Sequence, residues 1–421
     1  MKLVLGLFYV TILLLSVSSE DYYRDGNDKL YAIGSYGQRI YSDSKIEDAA
    51  KYKFKKLLPV LKFAWDLFIN VDKKNFVMAP LSPQILLSAL VKETHGNTQK
   101  EITNVVGFED SKELEQLINN MVQEATSREL KIGNGFFVDF KDKVKKSFWD
   151  PEKSKNSQID VINTNFDNAE NVKKTYQNWI DKKTKGLIKN FDIDVDADTK
   201  MLLASTLYFK GTWQFAFNST QVTDFHLPGG EIIKVDTMNI RKKYHTGKFD
   251  TIQATWAAVP YSSTEAMLII VPDKDKTLND LKQQMKGTDL TELISVISGQ
   301  QTKNYLNITL PKFKLNTRIS LKDPLQKMGI KNIFSSSSEL YIFDSNQKSN
   351  IDQAIQQSVL EVDEIGTIGA SATAFSVTPL MVQLLPIDSD LIVDRPFIAI
   401  IIDRKYGVPY FMAQITDPRE N

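Results

Sequence analysis

Between Glu361 and Phe375 the chain reads Glu-Val-Asp-Glu-Ile-Gly-Thr-Ile-Gly-Ala-Ser-Ala-Thr-Ala-Phe: acidic, then Gly, then small and hydroxylated side chains. Such a run has too little bulk to fill a core and no helical period with which to make an amphipathic face. Asp394-Arg-Pro-Phe397 and the short apolar strand Ile398–Ile402 follow soon after. A long segment of low bulk pinned beside a buried strand suits a loop that can later become a strand. Side chains of a strand alternate between faces. If Thr367 faces the interior, then Gly369, Ser371, Thr373, Phe375 and Val377 do too, while Ile368, Ala370, Ala372 and Ala374 face the other way. No charge, and no proline before Pro379, obstructs such a strand.

A chain of 421 residues with a hydrophobic fraction of 42% has ample core for one large domain or two average ones. The 52 basic and 52 acidic side chains cancel, so no overall field argues for nucleic-acid or membrane binding. Cysteine is absent, which neither supports nor excludes export for a chain with this much core. The N-terminus does speak to export. Lys2, the apolar run Leu3–Leu15 and the small residues Ser16-Val-Ser-Ser19 give residues 1–19 the charge, core and cleavage pattern of a signal peptide, predicting a secreted, extracellular protein.

Residues 20–51 are polar and acidic with Tyr22, Tyr23, Tyr31, Tyr36 and Tyr41 scattered among them, and are expected to form a largely disordered extension. From Tyr52 the chain becomes globular, and 52–421 reads as one domain. Leu57, Leu61, Ala64 and Phe68 recur at helical spacing despite Pro59. Strand-like runs cover Met201–Phe209, Ala266–Val271, Leu306–Leu310 and Ile398–Ile402, with helical stretches at Lys112–Thr126, Glu170–Lys183 and Thr277–Met285. Helices and strands interleaved without a regular βαβ rhythm predict a single α+β domain.

Nothing in the chain has the pattern of an enzyme. His95, His226 and His245 are the three histidines and read as structural; no nucleophile elbow, phosphate loop or zinc pattern accompanies them. Asp192-Ile-Asp-Val-Asp-Ala-Asp198 superficially resembles a calcium loop but lacks its turn glycine and final carboxylate, so no metal or other cofactor is expected.

Several separated motifs resemble those of the serpin family, in the family's order. They are Asn75-Phe-Val-Met-Ala-Pro-Leu-Ser82, Glu93-Thr-His-Gly-Asn-Thr-Gln-Lys-Glu-Ile102, Gly133-Asn-Gly-Phe-Phe-Val138 and Asn178-Trp-Ile180 with Thr184-Lys-Gly186. The densest is Thr206-Leu-Tyr-Phe-Lys-Gly-Thr-Trp213, followed by Pro260-Tyr261, Met267–Pro272, Leu310-Pro-Lys-Phe313 and Phe411-Met-Ala413. The resemblance implies a fold of three β-sheets and about nine helices with an exposed reactive-centre loop, here about 366–393. It implies a suicide inhibitor of serine proteases. The protease attacks a loop carbonyl to form an acyl-enzyme, and the cut loop inserts into the main sheet and traps it. The hinge of that loop would be Glu364, Gly366, Thr367, Gly369, Ala370, Ser371, Ala372 and Thr373, and the sheet-opening region Trp213, Ser82, Ser205 and Gln356. The family's usual spacing from the hinge glycine puts the reactive bond at Leu380-Met381.

Leu380 suits the apolar pocket of chymotrypsin-like enzymes, and Met381 or Val377 would admit elastase-like ones. With no Lys or Arg between Glu364 and Arg395, a trypsin-like protease is a poor target. The chain departs from inhibitory relatives at Ile365 and Ile368, usually acidic, and at Gly369, usually alanine. It departs too at Ala79, Ser205 and Gln356, where the family has a hydrogen-bonded Ser, Asn and His. A non-inhibitory serpin with a carrier, chaperone or storage role is the alternative. Asn218 and Asn307 head sequons and are glycosylation candidates. The basic runs Lys141–Lys146 and Lys182–Lys189 are expected to be solvated faces; a glycosaminoglycan partner is possible but unsupported by them. A sheet that can open implies a monomer at risk of loop–sheet polymers.

Overall fold

The structure is a computed structural model that describes residues 22–24, 30–33, 39–41, 43–108, 130–150, 159–186, 188, 193, 199–286, 303–367, 389–404 and 407–420, with side chains from Leu57 onward. The expected signal peptide, the helix over 112–126, most of 192–198, and the loop residues 368–388 with Gly369–Thr373, Leu380 and Met381 lie outside the described residues.

Three sheets and six α-helices make up the described chain, an α+β architecture. The central strand of the seven-stranded sheet is β7 (Met201–Phe209), nine residues buried without interruption because the sheet is covered on both faces. The strand order there is β6 (Asp160–Thr164), β5 (Leu130–Asp139), β7, β15 (Gln353–Val362), β16 (Gly366–Thr367) and β8 (Gly211–Thr212), with β14 (Phe313–Ser320) also on β15.

One face of this sheet carries the main core, including Leu203, Leu207, Phe209, Leu360 and Val362. Behind it lies α2 (Leu81–Leu90), nearly all of it buried. On the other face lies α4 (Ala169–Thr184), which buries Val172, Tyr176, Trp179 and Ile180 against Phe137, Leu202, Ala204 and Ile355. Asn168 caps this helix by accepting from the Asn171 N–H, and Lys185 closes it in the left-handed region. The Gly-Asn-Gly of β5 is what lets α4 lie so close. A Cβ on Gly133 would come within 2.9 Å of Lys183 Cγ, and one on Gly135 within 3.1 Å of the Trp179 ring.

The nine-stranded sheet runs β17 (Ser389–Ile392), β13 (Lys303–Pro311), β10 (Ile232–Phe249), β11 (Ala254–Pro260), β12 (Glu265–Pro272), β18 (Phe397–Asp403), β19 (Val408–Ile415) and β4 (Phe76–Met78). β9 (Ser219–His226) pairs with the first half of β10. The strand runs read from the sequence fall within β7, β12, β13 and β18, and the two described helical stretches are α4 and α5 (Leu278–Met285), the latter closed by a Thr277–Asp280 capping box.

The N-terminal expectation differs from the structure. Within 20–51, β1 (Tyr22–Arg24), β2 (Leu30–Ile33) and β3 (Arg39–Tyr41) pair antiparallel, and α1 spans Asp43–Asn70, so the boundary expected at Tyr52 falls inside a helix. Local propensity accounts for it. Tyrosine favours extended backbone, and Asp43-Ser44 followed by Glu47, Asp48 and two alanines is a helix start.

Candidate functional site: a sheet wedged open by its own hinge

From Gln353 to Ser358, β15 pairs directly and in parallel with Leu202–Leu207 of β7. Above that point the two strands part. β16 sits in the gap, antiparallel to β15 through Val362 and Thr367, and antiparallel to β8 through Gly366 opposite Thr212 and Thr367 opposite Gly211. The first two residues of the low-bulk segment are thus already a strand of the main sheet.

The reversal that puts them there is built by Asp363. Its Oδ1 accepts the N–H groups of Ile365 and Gly366, both at 2.9 Å, and its own N–H donates to the Gly366 carbonyl at 3.0 Å. A short acidic side chain folding its own turn is a common use of Asp. Gly366 fits only because it lacks a Cβ, which would stand 2.0 Å from the Gly211 carbonyl oxygen. Thr367 is buried, and its hydroxyl is 2.7 Å from the Tyr261 hydroxyl. Thr367 therefore faces the interior, the condition from which the alternation along the loop was drawn.

Trp213 forms the floor of the wedge. Its ring stacks on Tyr261 at 4.4 Å and 12°, its Nε1 donates to the Asp363 carbonyl at 2.9 Å, and its N–H donates to the Ile365 carbonyl at 2.9 Å. Burial raises the Tyr261 phenol well above its ordinary value, so it stays a neutral hydrogen-bonding group. Glu364 points away from the sheet, accepting from the Thr220 hydroxyl and from Lys312 Nζ at 3.2 Å. Partial burial opposes its charge, but the Thr220 hydroxyl, backbone and Lys312 outweigh it and hold the carboxyl below its usual range.

Lower down, the closed seam is held by Gln356. Its Oε1 accepts from the Ala79 N–H at 2.7 Å, and its Nε2 donates to the Ala79 carbonyl at 2.8 Å and to Ser205 Oγ at 3.1 Å. One amide thus satisfies both backbone groups of Ala79 and ties β15 to β7. Ser82 is buried in the first turn of α2, and its N–H donates to the same Ala79 carbonyl at 3.3 Å. The three changed positions repair one another as a fully paired cluster. Around them the seam carries hydroxyls that find no partner, Thr206 and Ser358. Each such buried group costs about 1–3 kcal/mol.

The structure brings together Glu364, Gly366, Thr367 and Trp213 at the top of the sheet and Ser82, Ser205 and Gln356 beneath it. Of the sequons, Asn218 is exposed at the start of β9, whereas Asn307 is half-buried in β13 and accepts from Asn239 Nδ2 at 2.9 Å. Gly211, Tyr261 and Lys312 lie within the motifs Thr206–Trp213, Pro260-Tyr261 and Leu310–Phe313, but the contacts they make here, and the part of Thr220, carry no signal in the sequence. Among the described residues no group of His, Cys, Asp and Glu could hold a metal ion, and no helix is long and apolar enough to cross a membrane.

A seven-stranded sheet, closed along most of one seam and parted at the top by the start of its own loop, defines a class of proteins whose main sheet can take up a strand. The chain belongs to the serpin family of serine protease inhibitors, whose family model matches residues 60–418. Alpha-1-antiproteinase F of Cavia porcellus is 27% identical over 82% of this chain and 86% of its own length. Serpin A12 of Mus musculus is 26% identical over 83% and 84%. Among solved structures, the serine protease inhibitor (serpin)-12 of Manduca sexta superposes with a TM-score of 0.73 at 23% identity, covering 86% of this chain and 99% of that one. Serpin48 of Tenebrio molitor does so with a TM-score of 0.73 at 23% identity, covering 87% and 98%. Membership in this family makes a protease-inhibitor role the general function.

Proposed function

We propose that the protein is a secreted suicide inhibitor of serine proteases with apolar specificity pockets, chymotrypsin-like or elastase-like, cleaved at Leu380-Met381. The observation that carries this reading is the wedge at Gly366–Thr367. A strand antiparallel to both neighbours has already been started, and the residues that follow it in sequence carry no charge and no proline before Pro379. Attack on the loop gives an acyl-enzyme, after which the freed loop extends the strand that β16 begins. Serpin loop insertion is itself the reference case of strand addition that releases stored strain. The amino-terminal pattern supports secretion, and the exposed Asn218 supports a glycan at that sequon ahead of one at Asn307. The inhibitor is consumed and does not turn over.

The test is incubation of the purified protein with chymotrypsin, elastase and trypsin, followed by denaturing gels and sequencing of the new amino terminus. A covalent band with chymotrypsin or elastase but not with trypsin, and cleavage after Leu380, is expected. Melting of the cleaved protein at a much higher temperature than the intact one would show uptake of the strand. Cleavage with no covalent band and no gain in stability overturns the inhibitory reading in favour of a carrier, chaperone or storage role.

A further inference from the structure

A cavity of about 530 Å³ opens beside the wedge, starting at Gln214 immediately after Trp213 and bounded by Pro260 immediately before Tyr261. Its walls are basic: Arg241, Lys242, Lys243 and Arg404 line it together with His245, and no carboxylate does. Among the described residues no acid pairs with Arg241, Lys242 or Lys243. The two ammonium groups lie over rings instead, Lys242 Nζ at 5.0 Å from Phe215 and Lys243 Nζ at 4.8 Å from Tyr305. Arg404 donates from Nε to the Thr264 carbonyl at 3.0 Å and from its terminal nitrogen to the Ser263 carbonyl at 3.3 Å, and the carboxylates of Glu265 and Asp403 act on its charge, so Arg241, Lys242 and Lys243 are the cations left for a ligand.

Strand alternation puts Arg241 and Lys243 on one face of β10, together with Tyr305, the register partner of Lys243. Cations of one sign gathered in a cleft repel one another and concentrate anions there.

We propose that this cavity binds a small phosphate or sulfate monoester with an aromatic or sugar body. Arg241 and Lys243 would neutralise the oxyanion, for which guanidinium and ammonium groups are suited. Tyr305, whose ring lies under Lys243 Nζ, would flank the body. The volume is in the range of small-molecule sites. Because Gln214 and Pro260 adjoin Trp213 and Tyr261, an occupant would sit directly behind the floor of the wedge.

The experiment is isothermal titration of the full-length protein with 4-nitrophenyl phosphate, 4-nitrophenyl sulfate, inorganic phosphate and the neutral 4-nitrophenyl glucoside. One or both aryl esters are expected to bind, with affinity falling as salt rises, and the glucoside is not. The relative affinities of the esters and inorganic phosphate separate a phosphate site from a sulfate site and show what the body adds. R241Q/K243Q should weaken the preferred ester by about tenfold or more. R241Q/K243Q should melt as the unsubstituted protein does in the absence of ester. No binding, equal binding of the glucoside, or full affinity in R241Q/K243Q would overturn the proposal.

Discussion

A side chain at position 366 has no room while β16 is in the sheet, since the Gly211 carbonyl occupies the place of its Cβ. Gly366→Ala should therefore expel Gly366–Thr367 from the wedge and break the Thr367–Tyr261 contact. The expected readout is a change in the fluorescence of Trp213, stacked on Tyr261, together with slower formation of the covalent protease complex. A crystal structure of that variant with β16 unchanged would refute the steric argument. Glu364 gives a second prediction. Its folded-state acidity is increased, so its contribution is present above the ordinary carboxylate value of 4.5 and is lost as pH falls through the folded value. Lys312→Met should shrink that acid-side loss by less than about 1 kcal/mol, because the pair is partly exposed. Chemical denaturation at neutral and acid pH would measure it. At this scale resemblance singles out Gly366, Thr367, Glu364 and Trp213 by position alone. The contacts of Gly211, Thr220 and Lys312 could not be read from the sequence, because they depend on what these residues meet across the sheets.

Among elements, the seam between β7 and β15 is the part that must give way if a strand is to enter. Gln356 bridges it at Ser205 while serving both backbone groups of Ala79. Gln356→Leu would leave the Ala79 N–H buried and unpaired and the Ala79 carbonyl with only the Ser82 N–H, costing about 1–3 kcal/mol. The variant should unfold at lower urea and form loop–sheet polymers faster on warming. Unchanged stability would mean that the seam is held elsewhere. Central apolar strands such as β7 could be read from their runs of buried residues, and α4 from its period. The ends of elements were harder. α1 extends nine residues ahead of Tyr52 because good helix formers precede the apolar stripe. β16 is two residues long and owes its existence to neighbours on either side, so no local pattern could announce it.

For the whole molecule, stability should carry an alkaline signature from Lys282. Burial lowers its ammonium to about 8, and its Nζ lies 5.4 and 5.2 Å from the rings of Phe68 and Phe76. The unfolded chain then binds more protons than the folded one above that value, so stability rises between about 8 and 10.5 and the gain is lost as pH falls through about 8. Lys282→Met should flatten this rise, measured as urea midpoints below the tyrosine range. The overall α+β class was legible because it rests on summed patterns over hundreds of residues, whereas the joining of the sheets through the wedge rests on a handful. One feature of the main sheet bears on the direction of change. β7 and β15 run parallel, while the strand begun at β16 is antiparallel to each. If the loop enters as proposed, every residue that follows Thr367 would replace one slanted, weaker row of backbone bonds with two perpendicular ones. Each step would then favour the next, and on that reading the closed sheet is a spring latch, held by its catch and not by its own preference.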